Sequence, residues 1–331
     1  MRPIVTSLII ACALLIAGAS RHGQAQSGQP TTVRVGWIGD THFTDMYVMS
    51  EEMKDPGIKL QMNKFQLSQD EVNALAANSL DMASMGYIFF LKLLDKGVDV
   101  TAVSGVSERG TRLLLRKGVA ANDWSDFKKL KVGVARGSTQ ELQFQSCLAE
   151  NKIDVKSVNS VAFTNAVDMT VGLEQGAVDA AVIWEPQASQ AVLKGIATEF
   201  RPVYPCSWSS NGMLVVRTEF LKKNRVAVVS ILKGLASAAE RLSADHDFWI
   251  ASARKFAPLS PEIQALAIKN SGQSVTLHTA DLPKMAAIMH ANSYIQRKLE
   301  GQEIEAHIDL SALAEATGKS QDELRTGKPR G

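Results

Sequence analysis

The sequence is short of the features that announce catalysis or nucleic-acid binding. Three cysteines, Cys12, Cys147 and Cys206, are scattered over 331 residues, too few and too dispersed for a cysteine-rich metal motif. Neither G-x-S-x-G nor H-E-x-x-H occurs, which removes two common hydrolase signatures. "ATGKS" (316–320) ends like a phosphate loop, but the earlier glycine that loop needs is Leu313. Asp40, His42 and Asp45 have ligand chemistry, yet D-x-H-x-x-D is common where a loop enters a helix. No metal and no cofactor is expected. Charge excess is missing too. Arg2 and Arg21 are the only charges in the first 25 residues, and without them 34 basic residues face 34 acidic ones. A nucleic-acid binder keeps a basic stripe or surplus, so the partner expected is a small molecule.

The long apolar run is confined to the N-terminus. Arg2 is followed by apolar residues from Ile4 to Ala19, then by small and polar residues to Gln29. A short charged region, an apolar region and an A-x-A-like exit read as a secretory signal over residues 1–25, and hence export. The run is too short for a comfortable transmembrane helix. Cys12 lies in "IIAC", like a lipid-attachment site, but the apolar run continues for seven residues beyond it. A lipid anchor is therefore not expected. Cys147 and Cys206 can pair in an oxidising compartment, but nothing in the sequence brings them together, and isolated thiols are the expectation.

What is present is an alternation of strands and helices. At 45% apolar and 21% charged the chain is of ordinary globular composition and long enough for two domains. "TVRVGWIG" (32–39) and "IKLQMNKF" (58–65) alternate as strands, separated by a helical stretch that stops at Asp55-Pro56-Gly57. Ser68 and Glu71 form an S-x-x-E capping box before the next helix. "DMASM", a helix closed by Gly97, and "VDVTAVSGV" follow. The pattern restarts near residue 117: "KVGVA", a helix capped by Ser138 with Glu141, a strand at 158–163, a helix, and "VDAAVI". "NGMLVVRTEF" reads as a strand crossing back, the chain beyond Arg225 is mostly helical, and the tail beyond Thr317 is expected to fray. Strands alternating with single helices predict an α/β fold with mostly parallel sheets. One frame recurs, L-x5-D-x-A, as Leu75, Asp81, Ala83 and as Leu173, Asp179, Ala181.

The succession "LAANSLDMASMGY", "DFKKLKVGVARGSTQE", "LEQGAVDAAVIWEP" and "IDLSALAEATG" resembles the periplasmic solute-binding proteins of the nitrate/sulfonate/taurine and thiamine-precursor group. These are the extracytoplasmic receptors of ABC importers. The resemblance runs from about residue 33 to 315. It implies a two-lobed type II periplasmic-binding fold with two crossover strands and a ligand cleft between the lobes. The boundaries expected are 31–116 for the first part of lobe I, 117–210 for lobe II, 211–316 for the return to lobe I and 317–331 for a flexible tail. Hinges are expected near Leu113–Arg116 and Met213–Val216. The partners implied are a small solute and a membrane permease with its ATPase, engaged by a monomer.

Candidate ligand contacts lie at the strand ends. Trp37 and Asp40 in "GWIGD" follow the first strand, although a lone Trp is more often core. Gly86 and Tyr87 end "DMASMGY", with Tyr87 either stacking on ligand or packed on a neighbour. Gly137, Ser138 and Thr139 open a helix whose N-terminus favours an anion. Ser138 is suited to cap that helix, leaving Thr139 for the ligand, and Arg136 either adds charge or reaches to solvent. Thr164 and Asn165 line the cleft or simply begin a helix. By resemblance, Trp184 is a platform and Glu185 an acceptor for an ammonium or N–H group; alternatively, Glu185 caps the following helix. Two carboxylates, Asp40 and Glu185, beside an anion site favour a taurine-like sulfonate or an amino-heterocycle over nitrate. The rival readings are an enzyme on the same fold, akin to a pyrimidine-precursor synthase, and a receptor that reports to a sensor protein.

Overall fold

A computed structural model describes residues 29–200 and 210–326. The expected signal segment, Cys12 and Cys206 lie outside them. Two α/β lobes are each built on one mixed sheet. The first lobe opens with β1 (Thr31–Ile38), α1 (Thr44–Glu52), β2 (Ile58–Phe65), α2 (Ser68–Ala76), β3 (Met82–Gly86), α3 (Tyr87–Asp95) and β4 (Val100–Arg109). The second comprises β5 (Thr111–Arg116), β6 (Lys131–Ala135), α4 (Thr139–Glu150), β7 (Asn159–Phe163), α5 (Ala166–Glu174), β8 (Ala180–Trp184), α6 (Gln187–Leu193) and β9 (Ala197–Glu199). β10 (Ser210–Arg217) then returns to the first sheet. It is followed by α7 (Thr218–Lys223), α8 (Arg225–Ala244), α9 (His246–Ala253), α10 (Pro261–Asn270), β11 (Ser271–Gln273), α11 (Leu282–Ala291), α12 (Gly301–Ala306), α13 (Ser311–Thr317) and α14 (Gln321–Thr326).

The first sheet runs β11-β4-β10-β3-β1-β2 and the second β7-β6-β8-β5-β9. Each contains one long antiparallel intruder, β10 between β3 and β4, and β5 between β8 and β9. Each intruder is the strand that has just crossed from the other lobe. In the second lobe both faces of the sheet are covered. Leu113, Leu115, Val132 and Val182 pack on one side, with Leu114, Ala181 and Ile183 on the other, as expected for strands that read as unbroken apolar runs.

Four expectations are corrected here. β5 belongs wholly to the second sheet, so the first crossover falls at Arg109 and Gly110 (φ 60° and 81°) and not at Leu113–Arg116. Met213–Val216 is buried mid-strand in the first sheet and is no hinge. The segment beyond Thr317 does not fray through Thr326, because Leu324 is buried and its carbonyl accepts from Leu277 N–H. Cys147 is fully buried and disulfide-bonded, not an isolated thiol. A smaller correction concerns α2. Its N-cap is Leu67, with no side-chain cap bond, and the Glu71 carboxyl is buried instead of capping.

Candidate functional site

Between the lobes lies a cleft of about 680 Å³, within the range of small-molecule sites. The wall from the second lobe is made of helix N-termini. Gly137 takes a left-handed turn (φ 63°) out of β6. Ser138 then caps α4, its Oγ accepting from Glu141 N–H at 3.1 Å. Glu141 reaches back with Oε2 to Gly137 N–H (2.6 Å) and with Oε1 to Arg136 (3.0 Å). Arg136 is therefore paired with Glu141. Thr139 stands in the first turn, lines the cleft and is 2% exposed, and its Oγ1 has no hydrogen-bond partner among the described residues. A buried hydroxyl without a partner is costly, which makes this one the least satisfied polar group at the head of α4. Asn165 caps α5, with Oδ1 accepting from Asp168 N–H and Nδ2 donating to Asp168 Oδ2. Trp184 presents its half-buried ring at the end of β8.

The wall from the first lobe is more apolar. Phe43, Phe65, Leu67 and Phe89 line it, with Asp40 and Gly86 among them. Asp40 caps a 3-10 turn over Thr41–Phe43 by accepting from His42 N–H at 2.9 Å. Lys92, one turn beyond Phe89 on α3, is the cation of this wall. Its ammonium donates to the Gly137 carbonyl across the cleft at 3.1 Å and lies 4.6 Å from the Phe89 ring. Burial lowers its pKa to about 8, partly opposed by the nearby Glu141 carboxylate.

Seven of the ten candidate residues line this cleft: Asp40, Gly86, Gly137, Ser138, Thr139, Asn165 and Trp184. Trp37, Tyr87 and Glu185 do not. Trp37 lies on the same strand face as Val33 and Val35, 6% exposed, with its ring edge-on to Phe256. The two-residue period of β1 already placed it with those core valines. Tyr87 is buried under the return segment, its Oη accepting from His278 N–H at 3.1 Å. Glu185 is wholly buried. Its Oε1 accepts from Arg112 (3.0 Å) and from Asn270 Nδ2 (2.8 Å), and its Oε2 from Ser189 N–H (2.9 Å). The missed lining residues are chiefly Lys92, Phe89 and Gln187. The sequence signal for Lys92 is a lone lysine in the apolar helix "YIFFLKLLD", where a charge needs a reason to be.

A sequence model of the NMT1-like family matches residues 26–255. The chain is 25% identical over 236 residues to a Bacillus subtilis protein named for aliphatic sulfonate binding, covering 68% of this chain and 70% of that one. It is 21% identical over 344 residues to a Brachyspira hyodysenteriae protein named as an ABC transporter periplasmic binding protein, covering 95% and 98%. Among solved structures, the alkanesulfonate-binding protein SsuA of Xanthomonas axonopodis pv. citri, bound to MOPS, aligns with a TM-score of 0.74 at 17% identity, over 86% of this chain and 99% of that one. The nitrate-binding protein NrtA of Synechocystis PCC 6803 aligns with a TM-score of 0.75 at 12% identity, over 92% and 93%. These likenesses establish the two-lobed periplasmic-binding fold, and with its sequence matched over more than half its length the chain belongs to the NMT1-like family.

Proposed function

We propose that this protein is an exported solute receptor that closes its lobes over a small organic anion, a sulfonate first among the classes considered. The observation that carries the reading is the Thr139 hydroxyl in the first turn of the 12-residue helix α4, buried and without a partner among the described residues, in a cleft that Lys92 also lines. A helix N-terminus favours an anion, and a partly desolvated ammonium strengthens that preference. The earlier case for an amine-bearing ligand rested on two carboxylates. Glu185 is buried on Arg112 and Asn270, which leaves Asp40 as the weaker half of that case. The apolar wall of Phe43, Phe65 and Phe89 suits a carbon tail better than bare nitrate. The named relatives, one for aliphatic sulfonates and one bound to MOPS, agree with this.

Export is supported by the periplasmic relatives and by the disulfide at Cys147, since such bonds persist in oxidising compartments. An ABC permease with its ATPase is the expected partner, and binding without chemistry is the expected role. Thermal unfolding against alkanesulfonates, taurine, aromatic sulfonates, nitrate, bicarbonate and amino-pyrimidines tests the reading. A ligand at a hundred times its Kd adds about 2.7 kcal/mol, a shift of several degrees. Sulfonates should give it. A shift with amino-pyrimidines alone would overturn the anion reading and restore the heterocycle.

A further inference from the structure

Lys92 is not the lone contact between α4 and the first lobe. Going down that helix at about four-residue steps, Glu141 Oε2 accepts from Tyr294 Oη at 2.8 Å and Gln145 Oε1 from Asn292 Nδ2 at 3.0 Å. Glu150 then pairs with Lys284 at 3.1 Å. On the neighbouring face, Leu142 is buried in the apolar cluster of the first lobe. One stripe of α4 is thus a seam gripped by the first lobe, and the N-terminus of the same helix opens onto the cleft.

The contacts along the seam are matched, donor to acceptor. Lys92 at its head is not. It spends one of three donors on the neutral Gly137 carbonyl. Glu141, the acid whose charge acts on Lys92 from across the cleft, is already engaged by Arg136, Gly137 N–H and Tyr294. Among the described residues no carboxylate forms an ion pair with Lys92. The Phe89 ring covers one side of the ammonium. This cation comes from the first lobe and points at the anion-favouring helix end of the second.

Building on the anion-receptor reading above, we propose that Lys92 is the residue that makes lobe closure depend on the charge of the ligand. An anion held at the α4 N-terminus by Thr139 supplies the counter-charge that Lys92 lacks, and so ties the first lobe to the second. A neutral ligand of the same shape fills the cleft but leaves the ammonium uncompensated, and the seam gains nothing from it. Glu141, Arg136 and Tyr294 on the seam and Lys96 one turn along α3 set the local field, in which Lys92 loses its proton near pH 8. Tyr294 is pushed above its ordinary 10.0 by burial and by Glu141, so it stays protonated in that range.

The test is calorimetric titration of the purified protein with hexane-1-sulfonate and with neutral hexane-1-sulfonamide, at about pH 6.5 and about pH 9, on either side of the Lys92 titration. Small-angle scattering reads compaction in parallel. The native protein should prefer the sulfonate by about tenfold or more, compact on binding it, and lose several-fold in affinity at the higher pH. Lys92→Met should keep only the small preference that the helix end supplies and bind without compaction. Lys92→Arg should keep the preference at both pH values, which separates charge from packing if Lys92→Met folds poorly. A Lys92→Met protein that prefers the sulfonate as strongly as the native protein and still compacts overturns the role of Lys92 and leaves the anion reading standing. A native protein that binds neither compound, nor any other anion in the panel, overturns both.

Discussion

Asp81 before β3 and Asp179 before β8 occupy the same place in two units that share one sequence frame, and each does the same thing. Asp81 Oδ2 accepts the Arg34 backbone N–H of β1 at 2.8 Å, and Asp179 Oδ2 accepts the Lys131 N–H of β6 at 3.1 Å. Each carboxylate also pairs with an arginine, Arg34 or Arg116. The shared acid is therefore a clamp between neighbouring strands, at the end of the sheet remote from the cleft. At the carboxyl ends the units diverge in residue type and agree in geometry. Gly86 and Trp184 face the cleft. One step on, Tyr87 and Glu185 both turn under it, and each holds the returning chain, Tyr87 through His278 N–H and Glu185 through Asn270 Nδ2. One residue per unit meets solvent in the cleft, and its neighbour fastens the unit to the C-terminal region. Tyr87 does this within its lobe. Glu185 does it between lobes, beside the crossover, where its own N–H donates to the Gly110 carbonyl.

That difference predicts the largest effect. Glu185→Ala leaves the Arg112 guanidinium with Glu199 alone and strands the Asn270 amide and the Ser189 N–H in a buried site, and each hydrogen bond lost to a buried charged group costs about 1.5–3 kcal/mol. Chemical denaturation should show the loss, with any fall in affinity following from it. A variant of native stability that no longer binds would return Glu185 to the cleft and break the comparison.

The next effect separates the buried acids of the two lobes. Glu185 is fully partnered, whereas Glu71 lies under Gly36 with its carboxyl near Ser68 and the Asp40 carboxylate. Burial, then Asp40, pushes Glu71 well above its ordinary 4.5. Asp45, which accepts Met46 N–H in the same lobe, is also raised by burial. The folded state then keeps a proton that the unfolded chain releases above pH 4.5. Stability from this group is greatest in acid and falls as pH rises through that window, by at most about 1.4 kcal/mol per pH unit. Glu71→Gln should make the fall of stability above about pH 4.5 shallower in denaturation curves. An unchanged slope would mean that Glu71 is ionised in the folded protein.

The architecture was legible because period and punctuation are local: alternation marked β1 and β2, Gly97 closed α3, and Ser138 with Glu141 marked the head of α4. The candidate site was legible where backbone dictates it, at glycines and helix caps, and at Trp184 through the resemblance. Trp37, Tyr87 and Glu185 were misplaced because part of what buries each comes from Phe256, His278 or Asn270, far away in sequence and carrying no pattern of its own. Lys92 was missed for the converse reason. Its helix reads as core, and its partner Gly137 lies in the other lobe. Contacts between lobes follow from how two domains meet, which no single element encodes.

The smallest effect is Tyr87→Phe. The ring stays in its apolar site, and the loss includes the acceptor for His278 N–H, worth about 1–2 kcal/mol for a backbone donor left short of a partner. If Tyr87 and Glu185 are equivalent fasteners, this variant should lower stability modestly and leave sulfonate affinity unchanged at a temperature where the protein is folded. Measuring both on one preparation separates the alternatives, because a ligand-stacking tyrosine would not respond to loss of its hydroxyl through stability at all. A fall in affinity at constant stability would place Tyr87 in the cleft with Gly86, and the two units would then differ in function as well as in sequence.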